Sequence, residues 1–366
     1  MKNTDINYQI ALTLLKGIGP IKARQILSKV EHIESIFKES YTSLSKLTGI
    51  NVSVLKGINR EQALADAQKQ INYIEKNEIQ SLFYLDHNYP QRLKQCADAP
   101  LLLFKKGAVS LNSQKMVAIV GTRHATEYGK SVCEEMIKGF VGKNIVVISG
   151  LAYGIDICVH QLCVQHEIPT IGVLGHGLDR MYPSQHAKTA SKMLKHGALL
   201  TEYLAGTNPD RENFPMRNRI VAGMSDATIV IESKESGGSL ITAELANDYC
   251  RDVFAIPGNI GQIHSKGCNT LISKQKAHLL TSPEDFLTWM HWNEEQKTKE
   301  IQTSLFQEFT DEENQILSIL QSNGELSIDI ISLTAKKSVS QASVILFNLE
   351  MAGAIKTLPG KKYKVI

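Results

Sequence analysis

Arg217, Asn218 and Arg219 stand together in "FPMRNRIVAG", and a Gly-Gly-Ser turn, Gly237, Gly238 and Ser239, follows in "ESGGSLITAE". Guanidinium groups hold phosphates through charge-assisted, often bidentate hydrogen bonds. A glycine turn that opens a helix lets backbone N–H groups approach an anion. These residue types point to a phosphate-binding cleft; the alternative is ordinary α/β packing with a polar rim. The combination recurs along the chain. "GTRHATEYG" puts Gly121, Thr122 and Arg123 after one apolar run, and "SGLAYGID" puts Ser149 and Gly150 after the next. Lys188 and Lys266 follow later runs, in "GHGLDRMYPSQHAK" and "PGNIGQIHSKGCN". Tyr153, Tyr182, Tyr203 and Phe214 stand in the same loops and add aromatic faces to the rim.

Other chemistries find less support. The first turn is not Gly-x-Gly-x-x-Gly and lacks an acidic residue at the ribose position, which disfavours a dinucleotide cofactor. No Gly-x-x-x-x-Gly-Lys-Ser/Thr motif occurs. Histidines, among them His160, His166, His176, His186 and His264, are scattered, without metal-ligand spacing. Glu202 and Glu244 are the carboxylates placed to form a pair across such a cleft. The expectation is a binding site with no catalytic residue, metal or cofactor.

The elements that position these residues follow from the hydrophobic pattern. Apolar, β-branched runs at 116–121, 144–150, 169–175, 198–203, 227–233, 252–258 and 277–282 alternate with helical segments. Continuous runs between helices indicate a parallel sheet covered on both faces, a doubly wound, Rossmann-like domain over 81–290. In such sheets ligands bind beyond the carboxyl ends of the strands, where the glycine turns fall. Residues 1–80 read as a separate helical module. "GIGP" joins two helices there in the manner of a helix-hairpin-helix, with Lys22 and Arg24 beside the turn, and "LSKLTGINVSVLKGI" is a weaker echo. The alternative is a small bundle whose glycines only cap helices. Residues 291–309 are polar and read as a linker. The stretch 310–366 gives a helix, a turn at Asn323–Gly324, and a short helix capped by Ser327. A helix over 339–351 and a strand-turn-strand with its turn at Pro359–Gly360 complete a winged helix. Its third helix offers Ser340, Gln341, Ser343 and Asn348 but no arginine, while Lys361, Lys362 and Lys364 sit on the wing.

The chain has 366 residues, of which 43% are hydrophobic and 21% charged, so it can bury a core and fill two or three domains. Its net charge is only +3, so any polyanion must be met by local charge. Six cysteines form no Cys-x-x-Cys pair and sit mostly in apolar runs, which argues against a disulfide framework. Neither a leader peptide nor a membrane-spanning run is expected, and the compartment expected is a reducing cytoplasm.

"VAIVGTRHATEYG", "VVISGLAYGIDICVH", "TIGVLGHGLDRMYP", "LLTEYLAGTNPDRENFPMRNRIVAG", "SGGSLITAELA" and "RDVFAIPGNIGQIHSKGCNTLI" together resemble the DNA-processing protein A family, also called DprA or Smf. The similarity runs almost unbroken over 115–285. The resemblance implies a non-catalytic cytoplasmic homodimer that binds single-stranded DNA. It implies a protein that protects incoming DNA and helps load a RecA-type recombinase in natural transformation. By motif match it places Gly121, Thr122, Arg123, Ser149, Gly150, Arg217, Asn218, Arg219, Gly237, Gly238 and Ser239 in one pocket. Three features depart from the family pattern. Ser184 follows "YP" where members often carry lysine, with Lys188 further on; the Gly-Gly-Ser turn has an extra small residue; and "VHQLCVQHE" replaces an Ala-His-rich pattern. The competing reading is a nucleotide-binding enzyme like the nucleoside-monophosphate phosphoribohydrolases, whose "PGGxGTxxE" aligns with "SGGSLITAE".

Overall fold

The computed structural model describes residues 3–293, 309–358 and 362–365. The chain divides into two compact units, 1–293 and 294–366.

In the first unit nine strands form one sheet: β1 (Gln80–Phe83), β2 (Leu102–Gly107), β3 (Lys115–Gly121), β4 (Ile145–Ser149), β5 (Thr170–Val173), β6 (Ala198–Thr201), β7 (Ala227–Ile231), β8 (Asp252–Ala255) and β9 (His278–Leu279). Their spatial order is β1-β2-β6-β5-β4-β3-β7-β8-β9. From β6 to β9 every pairing is parallel. The seven runs read from the sequence are these seven strands. The central strands alternate their side chains between two cores. In β3, Met116, Ala118 and Val120 face one core, and Val117 and Ile119 face the other. Both sets of β3 residues are buried, so neither meets water.

β1 and β2 add an antiparallel edge that the sequence reading did not contain. They also explain why the N-terminal helices are not separate. Leu102 and Phe104 of β2 pack into the helical core with Ile10, Leu44 and Ala67, while Leu103 faces the sheet core. One strand thus serves two cores, and the helices share the first unit with the sheet.

The hairpin turn at Gly17–Pro20 is present between the helices Asn3–Leu14 and Pro20–Leu27. Its cations are engaged within the protein. Lys22 Nζ donates back to the Gly17 carbonyl at 3.3 Å. Arg24 donates to the carbonyls of Cys96 and Ala97 and lies 5.4 Å from the Tyr84 ring centre. The turn lines a cavity shared with Leu101, Glu202 and Tyr203. This geometry favours the bundle reading, with the hairpin docked against the sheet.

The second unit has its own core around Ile316, Ile331, Leu346 and Leu349. A helix Asp311–Asn323, β10 (Leu326–Ser327), helices Ile328–Thr334 and Val339–Met351, β11 (Ile355–Leu358) and β12 (Lys362–Val365) follow the expected winged-helix order. Ser327 occupies the N-cap position, but its side chain accepts no capping bond. Ser338 and Gln341 close a reciprocal capping box on the third helix. Most of the expected linker, the Pro359–Gly360 turn and Lys361 lie outside the described residues.

Below the sheet, His160 is fully buried with Nδ1 2.8 Å from Thr170 Oγ1. Burial pushes its imidazole down to about 3. The unfolded chain therefore binds a proton below the ordinary pKa of 6.5 that the fold refuses. Stability from this group is complete above 6.5 and is lost as pH falls toward about 3. The difference in unfolding free energy between wild type and His160→Asn should therefore shrink by up to ~1.4 kcal/mol per pH unit across that window. Denaturant titrations at several pH values measure it; a pH-independent difference would contradict the assignment.

Candidate functional site

β3 and β7 are neighbours in the sheet, but the chain leaves them toward opposite sides, which opens a crevice at their carboxyl ends. A cleft of about 590 Å³ lies there. Gly121, Thr122, Arg123 and His124 line it after β3, and Gly150, Ala152 and Asp156 after β4. Tyr182, Arg211, Phe214, Arg217 and Asn218 form one wall, and Lys234, Gly237, Gly238 and Ser239 the other.

Two close approaches draw the crossings together. Gly154 has φ +78°, and a methyl group there would overlap the Thr122 carbonyl. A methyl group at Gly150 would overlap the Arg217 guanidinium. That guanidinium is 4% exposed and donates to the carbonyls of Gly150 and Val173. It thereby bridges the ends of β4 and β5. Asp156 lies beneath, its carboxylate accepting from the amides of Gly150 at 3.1 Å and Ala152 at 3.4 Å. Burial pushes the Arg217 guanidinium down to about 10, against the pull of Asp156. Burial likewise pushes the Asp156 carboxyl up, against the pull of Arg217 and the two amides. Arg217 Nε has no partner among the described residues.

The helix ends at the cleft are not equivalent. The helix Glu127–Gly139 is closed by the protein's own groups. Thr126 Oγ1 accepts from Gly129 N at 3.2 Å, and the Glu232 carboxylate accepts from Thr126 N at 2.9 Å. The protein's own Glu232 carboxylate thus already stands at this helix end, where the glycine turn suggested room for an outside anion. Thr122 is mostly buried and ties loops together. Its hydroxyl accepts from His124 N at 3.2 Å and lies 3.3 Å from His264 Nδ1. The helix Gly238–Asp248 differs. Its N-cap is Gly237, with no side-chain cap and no acidic residue in the first turn. The positive end of its dipole opens on the cleft wall.

Free charge and aromatic surface complete the site. Arg123, Arg211 and Lys234 are exposed and make no ion pair among the described residues. The Arg123 guanidinium lies 5.8 Å from the Phe214 ring centre, and the Phe214 ring lies 5.8 Å from that of Tyr182. Tyr182 is held from behind, its backbone N–H donating to His176 Nε2 at 3.2 Å.

Several expected residues lie elsewhere. Ser149 is fully buried and donates to the Ile119 carbonyl at 2.6 Å, tying β4 to β3. Lys188 and Lys266 are exposed on the helices Ala187–Met193 and Lys266–Ser273, outside the cleft lining. Arg219 points away from the cleft, pairing with Glu202 and donating to the Asp98 carbonyl. Burial raises the Glu202 carboxyl, against the pull of Arg219. Glu244 is on the surface, 3.3 Å from Lys276, so the two glutamates form no pair across the cleft. Tyr153 donates to Gln185 at 2.8 Å outside the lining, and Tyr203 faces the hairpin cavity. Asp156, His124, Arg211 and Lys234 were missed. The signal was adjacency, since each stands within a few residues of a glycine turn or of "FPMRNR".

Arg219→Met should therefore destabilise the fold by about 3–5 kcal/mol, because Glu202 would keep a buried charge without its partner. Chemical denaturation measures it; a loss below about 1 kcal/mol would mean that Arg219 is not structural.

Residues 80–291 match the family described as DNA recombination-mediator protein A, and residues 302–361 match the DprA winged helix domain. Protein Smf of Escherichia coli K12 is 32% identical over 382 residues, spanning 98% of this chain and 95% of that protein. The crystal structure of DprA from Streptococcus pneumoniae superposes with a TM-score of 0.66 at 34% identity, over 77% of this chain and 97% of that one. DprA from Helicobacter pylori, a protein described for its single-stranded DNA binding mode, superposes with a TM-score of 0.54 at 27% identity, over 59% and 97% of the two chains. A switch-point cleft walled by basic side chains and a helix N-terminus, matched along its whole sheet, thus sits in a chain that belongs to the DNA recombination-mediator protein A family.

Proposed function

We propose that this chain binds single-stranded DNA in the switch-point cleft and acts as a recombination mediator. In that role it protects an incoming strand and passes it to a RecA-type recombinase during natural transformation, in the cytoplasm. The observation that carries the reading is the pairing of Arg123 with the Phe214–Tyr182 aromatic pair beside an uncapped helix N-terminus. Phosphates meet the cations and the helix dipole, and splayed bases meet the rings. A duplex keeps its bases stacked inside and cannot use the rings. The single-stranded DNA binding of the Helicobacter pylori relative supports the same assignment.

The enzyme reading is weaker on this geometry. The glutamate of "SGGSLITAE", Glu244, is exposed and paired with Lys276. Among the described residues the one carboxylate lining the cleft, Asp156, is buried under Arg217 and already accepts two amides. Neither is placed as a general acid toward a bound nucleotide.

Homodimerisation is part of the proposal. β9 ends the sheet with both residues exposed, and His278 stacks 4.6 Å from the half-exposed Trp289 ring. An unpaired strand edge beside an exposed aromatic suits a second copy. Trp289→Asp should convert a dimer to a monomer in light scattering at micromolar concentration; a wild-type protein that is already monomeric would contradict this part.

Arg123→Ala should weaken binding of a fluorescent oligo-dT by about 1–3 kcal/mol and flatten its salt dependence. Anisotropy with unlabelled duplex and AMP as competitors measures it, with both expected to compete poorly. Unchanged affinity in the variant, or efficient competition and base release with AMP, would return the cleft to a small-nucleotide site.

A further inference from the structure

The winged-helix unit separates its charges unusually. The exposed face of the third helix, Val339–Met351, presents Val344, Phe347 and Met351 and no cation. A helix of this kind has nothing to anchor on a phosphate backbone. The wing is the opposite. In β12, Tyr363 and Val365 pack toward the unit's core, while Lys362 and Lys364 are exposed. In β11, Ile355 is buried and Lys356 is exposed. The register sets Lys356 directly opposite Lys364. Like charges across a strand pair oppose each other. Lys362 is neutralised by Glu325 at 2.9 Å, but Lys356 and Lys364 have no acidic partner among the described residues.

We infer that the outer face of the wing binds a DNA phosphate backbone through Lys356 and Lys364, while the third helix stays off the DNA. An anion lying across the two ammonium groups converts their repulsion into attraction. Both residues are lysines, which meet phosphate as flexible point charges. No exposed aromatic side chain accompanies them on the wing strands, so neither base identity nor strandedness is read there. The site therefore accepts duplex DNA, which the cleft is proposed to refuse.

The test uses the full chain carrying Arg123→Ala, so that a failure of the cleft assignment leaves this result readable. A labelled duplex is titrated at several salt concentrations. Lys356→Gln with Lys364→Gln should lower affinity about tenfold at low salt and reduce the logarithmic salt slope by about two, one counterion per lysine. Phe347→Ser should leave both unchanged. Thermal unfolding of the lysine variant should be unchanged or raised, since a repulsion is removed. The inference is overturned if the parent does not bind duplex at low salt, or if the lysine variant binds as the parent does. It is also overturned if Phe347→Ser abolishes binding, or if polyglutamate displaces the protein as well as DNA does at equal charge.

Discussion

The cleft depends on one buried guanidinium. Arg217 is taken out of water and held by the carbonyls that end β4 and β5, with Asp156 beneath it. A buried charge is costly unless it is paired and hydrogen-bonded, so those carbonyls must stay where they are. This requirement fixes the first turn of the β4 crossing and excludes any side chain at Gly150. Arg123, Arg211 and Lys234 add positive charge to the cleft from its rim.

The helix Asn213–Met224 divides its two arginines between tasks. Positions two apart on a helix face different directions. Arg217 enters the cleft floor, and Arg219 turns to Glu202 and Asp98. A similar division separates the helix ends. Glu232 closes the helix after β3 with a carboxylate of the protein itself, while the helix after β7 stays open behind Gly237. Leu151 and Glu232, with φ of 55° and 56°, take the left-handed conformation just past the ends of β4 and β7. Non-glycine residues adopt it rarely, so these two turns are held by their surroundings.

The seven parallel strands were legible because burial on both faces writes continuous apolar runs. The winged helix was legible because capping residues and turn signals mark its boundaries. β1 and β2 were not. They pair antiparallel at the end of the sheet, with β1 at the edge, and the helical core that covers β2 is distant in sequence. Within the site, Gly121, Thr122, Arg123, Gly150, Gly237, Gly238 and Ser239 of the glycine turns line the cleft, together with Arg217 and Asn218. Ser149, Lys188, Arg219 and Lys266 do not, because closeness to a strand end says nothing of which way a side chain leaves. Arg211 and Lys234 escaped notice because they stand in loops without a repeating pattern. Only the folded path of the chain brings them to the rim.

The most direct test of the central claim is amide hydrogen exchange on the full chain, with and without saturating oligo-dT. Slowed exchange at 121–124, 211–218 and 237–242, with the hairpin at 17–24 unaffected, is the predicted pattern. Protection confined to the hairpin, or absent from both cleft walls, would contradict the placement of single-stranded DNA at the switch point.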